Sequence, residues 1–137
     1  MVVGEFKSNT WRPTSAILDV EDRKEVFTKG LPKTFKSAPC EWYSWENDIR
    51  DLPNFKILLS VSPKSFPLGT GPKTNEIWHE GYFTIAWTNQ DYKMVYFNMG
   101  HNDMDYEGGT NKTLPSSFSS KCQNKIILQS LLFLGKD

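Results

Sequence analysis

The sequence predicts one α/β domain, rich in short strands and closed by a C-terminal amphipathic helix. Three observations lead there. Short apolar or ring-rich runs recur between polar and proline-bearing segments. A helical pattern with signals at both ends follows them. Strand, Gly100-His101, loop and helix come in the order of open α/β folds, where ligand sites collect beyond the carboxyl ends of strands.

The elements follow in chain order. "SAILDVED" (15–22) reads as a strand, with Ile17, Leu18 and Val20 apolar and acids at its end. "EVFTKGLP" (25–32) reads as a short helical turn closed by Gly30 and stopped by Pro32. "EWYSW" (41–45) alternates large rings with smaller groups, as a strand does. "FKILLSV" (55–61) is a short apolar strand. "SPKSFPLGTGPKTNE" (62–76) holds three prolines and two glycines and must be a loop. "YFTIAWT" (82–88) and "KMVYFNMG" (93–100) flank the polar turn Asn89-Gln90-Asp91-Tyr92, which predicts a hairpin. Residues 103–117 form a long polar loop.

The last element is the clearest. Ser120 and Gln123 match a capping box, in which each side chain satisfies the other residue's free backbone N–H. Cys122, Ile126, Ile127, Leu131 and Leu134 then fall on one helical face. Gly135 supplies a left-handed stop.

Composition narrows the function. The 137 residues suit a single domain, and a compact chain of this size hides roughly two-thirds of its unfolded surface. Sixteen basic residues balance sixteen acidic ones, so no basic face is expected to neutralise nucleic-acid phosphates. Zero net charge also removes a barrier to self-association, so a homo-oligomer is one expectation. No apolar run reaches the roughly 18 residues a membrane span requires, so no membrane partner is expected. The N-terminus shows no signal-peptide pattern, and the chain reads as soluble, with no compartment indicated. Cys40 and Cys122 have no metal-ligand spacing and read as reduced thiols, a disulfide being the alternative.

"IAWTNQDYKMVYFNMGHND", with a long loop and "QNKIILQSLLFLG" behind it, resembles the C-terminal part of the ThuA-like family, named for trehalose utilisation. "FTKGLP", "CEWYSW" and "EIWHEGYFTIAWT" resemble its middle section. The resemblance runs from about Glu5 to Gly135. It implies a flavodoxin-like α/β sandwich, similar to class I glutamine amidotransferases and shortened at its N-terminal side. Residues 1–137 would then be one incomplete ThuA-like domain, about the C-terminal two-thirds of the family fold.

In those amidotransferases a His-x-Glu pair follows a late strand, and His101-x-Asp103 stands in the matching place. Their cysteine nucleophile has no counterpart here. Cys40 follows Pro39 with no glycine turn around it, and Cys122 lies on a helix face. Other departures are Glu25-Val26, where the family commonly has His-Pro, and Lys7 and Asn9, where relatives often carry histidines.

Four groups of residues could carry chemistry. His101, oriented by Asp103, could act as general acid or base near neutral pH, or could simply cap a strand end. Glu41 with Trp42, Tyr43 and Trp45 suits a sugar, because rings stack on its C–H face while a carboxylate accepts hydroxyl protons; core packing is the alternative. His79 would be a further substrate-binding residue. With Glu76 and Glu80 it matches no established zinc spacing, so neither metal nor other cofactor is assigned. Asp103, Asp105 and Glu107 lack the full calcium-loop pattern.

The expected ligand is a small carbohydrate. Three readings stay open: a carbohydrate-acting enzyme, a noncatalytic sugar-binding module, and a degenerate domain stabilised by pairing with another copy.

Overall fold

The computed structural model describes residues 3–9, 14–65, 81–99 and 117–136. Five strands form the main sheet: β2 (Ile17–Val20), β3 (Thr34–Lys36), β5 (Phe55–Val61), β6 (Thr84–Asn89) and β7 (Val95–Phe97). Their spatial order is β3-β2-β5-β6-β7. A two-stranded ribbon pairs β1 (Phe6–Asn9) with β4 (Tyr43–Trp45). One helix, α1 (Lys121–Leu134), follows.

The central strands explain their own sequences. β5 reads as a continuous apolar run because it lies inside the sheet, and every residue of β6 is buried. On one side Ile126 of α1 joins Leu18, Phe27, Leu31, Phe35 and Leu58 in the larger core cluster, with Phe133 and Cys122 packed against it. On the other side the ribbon brings Trp45 against Trp87 and Tyr96. Trp45 meets Trp87 edge-on at 5.7 Å, and Trp87 stacks on Tyr96 at 3.9 Å. The sheet thus carries a helix on one face and an aromatic ribbon on the other.

All described ladders are antiparallel. A strand-rich sheet with a C-terminal helix is therefore present, but the described strands do not supply the parallel ladders of a flavodoxin-like sheet. The hairpin is as expected, with Thr88 opposite Val95 and Ala86 opposite Phe97. Residues 25–32 form a turn rather than a helix, closed by Gly30 at φ 76°. The strands β1 and β3 carry one large apolar residue each. They have too little periodicity to be read locally, and pairing partners define them.

The helix departs from its expected face. Its buried line runs through Gln123, Ile126 and Ser130, while Leu131 is 62% exposed. Two polar side chains account for this, because both find partners inside. Ser130 Oγ donates to the Ile126 carbonyl, and Gln123 Oε1 accepts from the Ala38 N–H at 2.7 Å. Only half of the capping box forms. Ser120 Oγ accepts from the Gln123 N–H, whereas the Gln123 side chain is committed to the core. Gly135 closes the helix at φ −82°, without the left-handed conformation.

Candidate functional site at the end of strand β7

Gln123 organises this end of the sheet. Its amide is fully buried, and Nε2 lies 3.5 Å from Cys40 Sγ and 3.5 Å from Met99 Sδ. Cys40 precedes Glu41 in the chain, and Met99 comes two residues before His101. One helix side chain therefore holds both segments that the sequence marks as functional.

Glu41 is buried, and its Oε1 accepts a hydrogen bond from Asn9 Nδ2 on β1. Trp42 is wholly buried, with Nε1 donating to the Thr14 carbonyl at 2.7 Å. Its ring packs in the core and presents no face to a ligand. Trp45 is also core, its Nε1 donating to the Thr84 carbonyl at 2.7 Å. Tyr43 is only half-buried, between Phe6 and Trp45 in edge-on contacts of 5.3 and 6.1 Å. The core alternative thus accounts for both tryptophans, and Tyr43 is the ring of this group with some exposure.

His101, Asp103 and His79 lie outside the described residues, as do Glu76, Glu80, Asp105 and Glu107. Among the described residues, no three His, Cys, Asp or Glu side chains gather as a metal site would require. Cys40 and Cys122 are free thiols, the first buried and the second half-buried. No helix among the described residues is long and apolar enough to cross a membrane.

Two further polar groups sit at the same strand end. Thr84 Oγ1 and Asn98 Nδ2 are buried without a hydrogen-bond partner among the described residues. Asn98 donates its backbone N–H to Ile85, so the two residues are neighbours across β6 and β7. Buried polar groups are normally paired, and leaving one unpaired costs about 1–3 kcal/mol. Sequence reasoning took Gln123 for a capping-box partner on the helix surface and did not single out Thr84 or Asn98, because polar residues inside a helix or strand pattern carry no local mark of burial.

Comparison with known proteins adds three findings. A family model described as ThuA, trehalose utilisation, matches residues 1–114. The crystal structure of a ThuA-like protein from Bacteroides uniformis is similar, with a TM-score of 0.76 and 30% sequence identity. The match covers 96% of this chain and 47% of that one, so the chain spans about half the length of its structural neighbour. No curated protein matches the chain.

Proposed function

The chain belongs to the ThuA, trehalose-utilisation family, and on that premise we propose that it recognises or processes a sugar or sugar derivative at the end of β7. The observation that carries the reading is the shared anchor of Gln123 on Cys40 and Met99. It supports bringing Glu41 and His101 to one rim, because each lies within two residues of an anchored sulfur.

In this reading His101 exchanges a proton with a sugar hydroxyl or leaving oxygen, and Asp103 orients its ring. Glu41 accepts a hydroxyl proton, and the Asn9 bond fixes its carboxylate. Tyr43 offers a partly exposed ring and His79 is a further hydroxyl partner, while Trp42 stays in the core and supports the segment from within. The unpaired Thr84 hydroxyl and Asn98 amide add hydrogen-bonding capacity.

Thermal-shift measurements with neutral sugars test this directly. A sugar at one hundred times its Kd should stabilise the fold by about 2.7 kcal/mol. His101→Ala and Glu41→Gln should each remove most of that gain. Sugars that leave the melting temperature unchanged, or variants that respond like the parent, would defeat the proposal. Product formation separates an enzyme from a binding module.

A second reading has its own support. Leu128, Leu131 and Leu132 are 57%, 62% and 59% exposed at helical spacing. Such an apolar stripe suits a self-associating domain covered by a second copy. Light scattering that reports a monomer would remove this alternative.

A further inference from the structure

A groove of about 430 Å³ lies over the β6–β7 turn, at the opposite end of β7 from Met99. Its floor is apolar: Phe27 and Phe133 line it, meeting edge-on at 4.9 Å. Its walls carry two acids and two bases. Glu25 and Lys56 form an ion pair, Asp91 accepts from Asn54 Nδ2 at 2.6 Å, and Lys93 donates to the Lys136 carbonyl. One acid and one base neutralise each other directly, and Asp91 and Lys93 balance in sign, so the groove offers an ionic ligand no net charge of either sign.

The hydrogen-bonding groups left over are neutral amides. Asn89 is 8% exposed; its Oδ1 accepts from the Asp91 N–H at 2.8 Å, while its Nδ2 has no protein acceptor among the described residues. The exposed side-chain amide of Gln90 is likewise uncommitted. Tyr92 is 71% exposed and makes no ring contact among the described residues. An apolar ring face therefore stands beside planar polar groups.

The turn that carries them is already held in shape. Thr88 Oγ1 donates to the Met94 carbonyl at 2.7 Å, and the Gln90 N–H donates to Asn54 at 2.7 Å. Ordering it on binding would cost little entropy.

We propose that this groove is a second ligand site, for a neutral saccharide of one or two rings. The sugar's C–H face lies on Tyr92, and its hydroxyls meet Asn89 Nδ2, the Gln90 amide and the Lys56–Glu25 pair. The volume falls in the range of small-molecule pockets, roughly 300–1,000 Å³. None of these residues belongs to the strand-end site, so the two proposals fail separately.

The test is an amide-resolved NMR titration of the whole chain with glucose and with trehalose at millimolar concentrations. Saturable shifts are expected at residue 56 and across 88–93. Tyr92→Ala, at an exposed turn position, should weaken binding about tenfold, and Gln90→Ala should weaken it severalfold. Absence of saturable shifts in these amides would overturn the proposal. So would a Tyr92→Ala protein that binds as the parent does, or a sugar phosphate that binds more tightly than its neutral parent. Shifts confined to residues 38–44 and 98–99 would also overturn it, while supporting the strand-end reading.

Discussion

Gln123 and Cys40, 83 positions apart in sequence, meet through a 3.5 Å contact between the glutamine amide and the cysteine sulfur. The same amide receives the Ala38 N–H. A polar side chain on the buried line of α1 thereby does what an apolar residue could not. It satisfies a backbone donor in the loop before Glu41 and fixes how the helix seats on that loop.

Removing this amide should be costly. Gln123→Ala leaves the buried Ala38 N–H without its acceptor and opens a void. We expect a loss of about 1–3 kcal/mol from the orphaned donor, and a melting temperature lower by about 2–4 °C for each kcal/mol. Native Cys40, fully buried, should react slowly with a thiol reagent, and faster in the variant. An unchanged melting temperature together with unchanged Cys40 reactivity would show that the amide anchors nothing.

Two glycines with positive φ should respond differently to alanine. Gly81 sits at φ 95°, and an added Cβ would stand 2.5 Å from the Trp45 carbonyl oxygen, which is backbone. That carbonyl accepts the Tyr82 N–H in the bridge that ties the ribbon to the start of β6. At Gly30, φ 76°, the Cβ would meet only the end of the Lys125 side chain, which can swing away by giving up its exposed bond to the Gly30 carbonyl. Backbone strain alone costs about 1–3 kcal/mol at such positions, so Gly81→Ala should destabilise clearly more than Gly30→Ala. Denaturant titration of both variants gives the order, and equal losses would contradict it.

Alkaline pH should weaken the fold through Tyr96 and Lys56. Burial, with a smaller contribution from Tyr43, raises the Tyr96 phenol above its ordinary 10.0. The hydrogen bond to Glu25, then its charge, raises Lys56 above 10.5. In both cases the folded state holds its proton more tightly than the unfolded chain. The associated stability is intact below the unfolded values and is lost as pH rises through the folded ones. Stability should therefore begin to fall near pH 10, and Tyr96→Phe should flatten that decline. Phenolate absorbance, taken as the difference between the parent and Tyr96→Phe, should place the Tyr96 ionisation above the ordinary phenol value of 10.0, and ionisation at or below that value would refute the assignment.

Much of the fold was legible because it rests on local patterns. The runs at 17–20, 43–45, 55–61, 84–89 and 95–97, and the helix start at Ser120, all carry periodicity or cap chemistry. The rest depends on partners distant in sequence. Phe35 is a strand residue because Leu18 lies opposite it. Gln123 is core because an unpaired N–H waits at Ala38. Trp42 looked equally suited to a ligand and to the interior, since ring chemistry is the same in both; its indole bond to Thr14 places it inside. The β6–β7 turn read as mere polar punctuation, because a groove needs the distant Glu25, Lys56 and Phe133 to give it walls.

The long reach of Gln123 bears on how the molecule assembles. Its bond to Ala38 spans 85 positions, so the larger core cannot be sealed until α1, which follows all the described strands, arrives. Before that step Leu58, Leu59 and Ile85 would face water. A nascent or partly unfolded chain would then be sticky, and refolding should be slow for a chain of this size and prone to clumping at high concentration.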